Sequence, residues 1–99
     1  MSEPMEQWRA PSALTIYEAQ ELGQLWGDEL KWACSWELDL SDTEEIDSCG
    51  IQLLLYLHDR LEEHDRQLQI SHVSGDVFEI FRLVGIDRTL SIKGVASDE

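Results

Sequence analysis

The sequence predicts an α/β domain, and three observations carry that prediction. Two short segments alternate strictly between apolar and polar residues, the period of a strand with one wet face. Longer segments place apolar residues three and four apart, the period of a helix packed on one side, and the two kinds of segment follow one another along the chain. At 99 residues there is room for one core and no second domain. The hydrophobic content of 42% fills such a core, so the formal net charge of −14 is surface charge rather than the signature of a disordered chain.

The elements follow in order. Residues 1–7 and 94–99 read as flexible termini around a domain of residues 8–93. Trp8 to Leu14 contains Pro11, which limits the segment to a short or edge strand. Thr15-Ile16-Tyr17-Glu18 has the Ser/Thr-x-x-Glu form of a capping box. Ala19, Leu22, Trp26 and Leu30 follow at helical spacing, so a first helix is expected from about Ile16 to Trp32. Ser35 to Leu40 places Trp36, Leu38 and Leu40 on one side and Glu37 and Asp39 on the other, a strand, and Gln67 to Ser71 repeats the pattern. Between them Ile51, Leu54, Leu55, His58 and Leu61 mark a second amphipathic helix over Ser48–His64. A third runs from Ser74 to Val84, with Ser74 as cap, Val77, Ile80, Phe81 and Val84 as its buried stripe and Gly85 as its stop. Thr89 to Lys93 is a last edge strand. The expected architecture is a mixed sheet of about four strands, covered by helices mainly on one face.

Composition excludes several functions. Seven basic against twenty-one acidic side chains would be repelled by phosphate backbones and anionic lipid, so neither nucleic acid nor direct membrane binding is expected. The longest apolar run, Ile51 to Leu57, is far short of the roughly 20 residues of a membrane span, and the acidic start lacks the basic and apolar regions of a secretory signal. A cytoplasmic location follows as the expectation, with Cys34 and Cys49 as reduced thiols.

No catalytic constellation stands out. The glycines form no phosphate loop or dinucleotide fingerprint, and His58, His64 and His72 lack a second ligand at zinc spacing, His58 falling on the apolar stripe of its helix. The stretch Asp39 to Gly50 places oxygens at alternate positions like a calcium loop. It carries Glu44 where that loop needs glycine and Gly50 where it needs a bidentate glutamate, so a solvated acidic loop is expected and no metal or cofactor. A hydrolase with Ser48 as nucleophile would need a histidine base and an oxyanion motif that the sequence does not place. The chain is read as a non-enzyme.

What remains is the junction Ile46-Asp47-Ser48-Cys49-Gly50-Ile51, where a loop enters the second helix. Amide groups at a helix start point outward with partial positive charge, so Ser48 is placed either as a plain N-cap, worth about 1 kcal/mol, or as a hydroxyl that carries a phosphate. Asp47 is likewise either the cap itself or a carboxylate orienting the hydroxyl.

These residues carry a resemblance. Leu38-Asp39-Leu40-Ser41, then Ile46 to Ile51, then Leu53-Leu54-Leu55 resembles the signature of STAS domains, the anti-sigma factor antagonists and their relatives. The likeness spans about residues 13–90 and includes Leu14-Thr15-Ile16 and Phe81 to Ile86. It implies a small STAS fold and a binding module. The family's phosphoacceptor serine maps to Ser48, its adjacent aspartate to Asp47, and the glycine that lets the helix start approach a partner closely to Gly50. Members with this serine bind a serine-kinase anti-sigma factor when unphosphorylated and release it afterwards, the partner supplying magnesium and nucleotide. Phosphorylation adds about −1.5 to −2 charges beside Asp47, Glu45 and Glu44. Against one partner carboxylate at contact this amounts to about 4 kcal/mol per unit pair at an effective dielectric near 20, and half of that is a roughly thirtyfold loss of affinity.

The expected contact surface is the loop from Asp42 to Asp47, including Glu44 and Glu45, and the exposed side of the following helix at Gln52, Tyr56, Asp59 and Arg60. Two departures from the family pattern stand out. Cys49 occupies a position usually small, as an ordinary small residue or a redox-sensitive thiol. Ser12-Ala13 replaces the usual Gly-Glu, and the short opening from Ala10 to Ile16 is similar to STAS proteins of bacterial chemosensory gene sets. The alternative partners are therefore a chemosensory signalling complex, or a phospholipid-transport ABC complex of which such a domain is a subunit, although those subunits resemble a threonine-bearing branch. The oligomeric state stays open between monomer and weak dimer.

Overall fold

The structure, a computed structural model, describes residues 5–29 and 34–95. The elements are β1 (Met5–Arg9), β2 (Ala13–Leu14), α1 (Ile16–Glu29), β3 (Ser35–Asp39), β4 (Glu45–Ile46), α2 (Ser48–Glu63), β5 (Leu68–Val73), α3 (Gly75–Val84), a short 3₁₀ turn at Ile86–Arg88, and β6 (Ser91–Val95). The predicted helices and strands are present. Leu30 and Trp32, the expected end of the first helix, lie outside the described residues.

The main sheet has the order β1-β3-β5-β6, and every pairing is parallel where a mixed sheet was expected. The cause is the connectivity. Each strand leads through a helix to its immediate neighbour, and a strand that returns by a helical crossover lies parallel to the one it left. Because the order advances in one direction, right-handed crossovers lay all three helices on one face. Register shows the result. Trp8, Leu38, Ile70 and Ile92 align across the four strands beneath the helices, while Gln7, Glu37, Gln69 and Ser91 form one polar row on the other face and Arg9, Asp39, Ser71 and Lys93 the next.

The core joins Trp36, Leu38 and Leu40 of the β3 region and Leu68 and Ile70 of β5 to Leu54, Leu57 and Leu61 of α2 and Val77 and Phe81 of α3. At one end Trp8, Trp26 and Trp36 pack ring on ring. Trp8 stacks on Trp36 with centroids 5.3 Å apart, and Trp26 meets both edge-on at 5.8 Å. Large aromatic areas buried in offset and edge geometry tie β1, α1 and β3 together.

Four local expectations change. The opening segment is two strands rather than one. Residues 5–7, expected with the flexible start, pair with β3, and Pro11 falls in the break before β2, which pairs in parallel with β4. The acidic loop therefore contains a strand, and Thr43 inside it is buried, its hydroxyl donating to the Pro11 carbonyl at 2.7 Å. The last strand begins at Ser91, because Ile86–Arg88 is a 3₁₀ turn closed by the Thr89 amide on the Ile86 carbonyl. At the head of α1 the capping box is half formed. The Thr15 amide donates to Glu18 Oε1 at 3.0 Å, and the Thr15 hydroxyl also donates to that carboxylate instead of receiving an amide.

Candidate functional site

The residues singled out around Ser48 come together where the heads of α1 and α2 meet. The chain before α2 runs alongside β2: the amides of Glu44 and Glu45 donate to the Ser12 carbonyl, and the Asp47 amide donates to the Leu14 carbonyl. This strand pairing delivers Asp47 to both helix starts. Its Oδ1 accepts from the amides of Cys49 at 2.9 Å and Gly50 at 3.1 Å, and its Oδ2 accepts from the Ile16 amide at 3.1 Å, the first residue of α1. One carboxylate thus satisfies orphan donors of two helices and complements the positive end of each.

This settles which of the two residues caps α2. Asp47 is the N-cap, with extended backbone, and Ser48 is the first helical residue, exposed to solvent. The capping role foreseen as one option for Ser48 is filled by its neighbour.

Gly50 has a different task from the one expected. A Cβ there would lie 2.1 Å from the Leu14 carbonyl oxygen and 2.9 Å from both Ile46 Cγ1 and Leu14 Cβ. Gly50 is buried against the domain's own β2, so the close approach that the structure shows is internal. The missing side chain lets α2 descend onto β2 and β4, and it is this seating that places Asp47.

The expected contact residues divide into two groups. Ser48, Gln52 and Tyr56 are spaced i, i+4, i+8 on an exposed strip of α2, and exposed Asp59 continues it one turn further on. Arg60 is half-buried, with Nη1 3.4 Å from Glu63, and Glu44 and Glu45 are exposed on the approach to Asp47. Asp42 belongs elsewhere. It lies 3.7 Å from Arg9, which also reaches Asp39 at 3.8 Å, and His72 approaches Asp39 at 3.7 Å. Burial works against the Asp39 carboxylate, but hydrogen bonds from Ser41 and the charges of His72 and Arg9 outweigh it and hold its pKa below the ordinary value. Asp39-Leu40-Ser41 is therefore a closed turn at the strand ends rather than part of the α2 surface.

One feature escaped the sequence reading. Between α1 and α2, beside Ser48, lies an open and mainly apolar groove of about 430 Å³, lined by Ile16, Ala19, Gln20, Cys49, Gln52, Leu53 and Tyr56. Ile16 is 53% exposed and Tyr56 46%, while Tyr17, next in sequence, is 79% exposed. The signal was available in part: Ile16 and Tyr17 open a helix whose buried stripe starts at Ala19, so they are apolar residues without a place in the core.

Both cysteines are free and half-buried, Cys49 in the groove wall. His58 sits in the α2 packing, with Nε2 3.8 Å from Glu62. Among the described residues there is no helix long and apolar enough to cross a membrane and no cluster of three metal-ligating side chains.

Comparison with known proteins agrees with this geometry. Residues 9–93 match a family model described as "Mlab, STAS domain". No curated protein matches the sequence. Among solved structures, a sulfate transporter family protein from Wolinella succinogenes superposes with a TM-score of 0.77 at 17% identity, over 92% of this chain and 76% of that one. A Thermotoga maritima protein assigned as an anti-sigma factor antagonist superposes with a TM-score of 0.75 at 19% identity, over 90% of this chain and 77% of that one.

Proposed function

The chain belongs to the STAS domain family, and we propose on that footing that it is a non-enzymatic, cytoplasmic protein-binding regulator switched by phosphorylation of Ser48. The observation that carries the reading is the division of labour at the head of α2. Asp47 holds the helix, so the Ser48 hydroxyl is exposed and can be modified without uncapping it. The partner is a serine kinase of the histidine-kinase-like ATP-binding class, as an anti-sigma factor is, and it supplies the nucleotide and magnesium. It contacts Glu44, Glu45 and the strip from Ser48 through Gln52 and Tyr56 to Asp59 and Arg60.

A phosphate on Ser48 adds about −1.5 to −2 charges beside Asp47 and next to the apolar groove wall. A dianion there must be desolvated for a partner to close over it and is repelled by its own neighbours, so the partner leaves. Incubation with the candidate kinase and Mg-ATP, followed by mass-spectrometric mapping, is expected to place the phosphate on Ser48. Phosphate on another residue, or none, ends the assignment.

A second reading is favoured by the groove and by the family model's description, "Mlab". An exposed apolar cleft suits a standing subunit contact, as in an ABC transport complex that keeps a STAS domain as a permanent subunit. The two readings separate on Ser48→Asp. Loss of partner capture supports the switch, and unchanged capture supports the permanent subunit.

A further inference from the structure

We propose that the α1–α2 groove is the seat of an amphipathic helix from the partner protein, with its apolar face down and basic side chains along its flanks. The inference rests on the binding-module reading and names the chemistry of what binds. The lining spans Cys49 to Tyr56 on α2, about two helical turns, and Ile16 to Gln20 on α1. A cleft of that length between two helices matches an i, i+3/i+4, i+7 set of anchors on a third helix, whereas an extended peptide would seek a sheet edge.

The charge of the occupant follows from the surroundings. The lining carries no charged side chain, α1 carries no lysine or arginine, and the segment from 41 to 63 carries only Arg60 as a lysine or arginine against Glu44, Glu45, Asp59, Glu63 and other carboxylates, so the ground around the α2 wall is acidic. Facing potentials must be opposite in sign, so basic flanks are steered in while acidic ones are rejected. A second copy of this chain is a poor occupant for the same reason, because it brings another −14. An anionic membrane is repelled likewise.

The probe is a synthetic amphipathic helical peptide with leucines on one face and lysines on its flanks, titrated into the full chain at moderate salt and followed by amide chemical shifts. Shift changes are expected at Ile16, Ala19, Gln20, Cys49, Gln52 and Tyr56. The same peptide with glutamate flanks is expected to bind roughly tenfold or more weakly. Tyr56→Ser and Ile16→Ser are expected to cost roughly tenfold each and Tyr56→Phe little, while Leu83→Ser, at an exposed apolar residue on α3, is expected to change nothing.

Shifts scattered over the acidic surface, equal binding of both peptides, indifference to Tyr56→Ser, or tighter association with anionic phosphatidylglycerol vesicles than with the lysine peptide would each overturn the proposal. Ser48→Asp keeps the two readings apart. It adds a carboxylate beside the groove, so the lysine peptide is expected to bind as tightly or more tightly, and its release would overturn the basic-flank assignment. Loss of the kinase partner by the same variant reports on the Ser48 switch alone.

Discussion

The heads of α2 and α3 solve the same problem in opposite ways. At α3 a serine does the capping: the Ser74 hydroxyl accepts from the Val77 amide at 3.2 Å, and the helix closes at Gly85 in the left-handed conformation. At α2 the serine is one position further on and an aspartate caps, so Ser48 is exposed while Asp47 binds three amides from two helices. A serine held in a cap has its hydroxyl engaged by a backbone amide, whereas one placed just after a cap keeps its hydroxyl exposed while the neighbouring residue holds the helix. The difference leaves the Ser74 hydroxyl engaged at α3 and the Ser48 hydroxyl exposed at α2.

The largest effect should come from the residue that seats α2. In Gly50→Ala the new methyl meets the Leu14 carbonyl oxygen, a backbone atom with no rotamer to yield. The expected loss is about 3 kcal/mol or more, read from chemical denaturation. A loss under about 1 kcal/mol would mean that α2 is not pinned to β2. Asp47→Ala comes next, at about 2 kcal/mol, because it strips a charged acceptor from two helix starts. Asp47→Asn should fall between wild type and alanine. Asparagine caps about as well as aspartate, but its amide has one acceptor oxygen where the carboxylate has two, so the tie to Ile16 is lost.

The two serines then test the comparison directly. Ser74→Ala should cost about 1 kcal/mol, or roughly 4–8 °C in Tm for a domain of this size. Ser48→Ala should change stability by less than about 0.5 kcal/mol, since the cap remains. Equal losses at both positions would show Ser48 to be a structural residue after all.

Legibility from sequence followed how local each signal is. Alternation in Ser35–Leu40 and Gln67–Ser71 and the helical periods of α2 and α3 are set by near neighbours and appear in the fold, except that Val84, expected in the buried stripe of α3, is 54% exposed at the end of that helix beside Gly85. What did not survive depended on distant segments. The β2–β4 pair consists of two residues on each side, too few to show a period, and exists because Ser12 and Leu14 lie beside Glu44–Asp47. The motif placed Asp47, Ser48 and Gly50 at a helix start but could not divide the roles among them. Asp47 caps α2 through the nearby amides of Cys49 and Gly50, but it became a bridge to α1 through Ile16, thirty-one residues away, and Gly50 became a packing glycine through Leu14. The groove was hidden for the same reason, since its two walls are contiguous only after α1 packs on α2.

The smallest expected effect lies at the third helix start and sharpens what separates a cap from a bridge. Glu18 receives hydrogen bonds from the Thr15 hydroxyl and amide, which lower its pKa below the ordinary 4.5. A lowered carboxylate pKa means that the bonds favour the charged form, so their stabilisation is complete above the unfolded-state value. It fades as the pH falls through that value towards the lower folded one. Glu18→Gln should therefore reduce stability slightly at neutral pH and flatten this part of the acid limb, seen as converging wild-type and variant melting curves in acid. Because Glu18 is solvent-accessible, water replaces much of what is lost, and the effect should be smaller than that of Asp47→Ala. If instead Glu18→Gln equals Asp47→Ala at neutral pH, the head of α1 is held by its own local carboxylate, and Asp47 would then serve α2 alone.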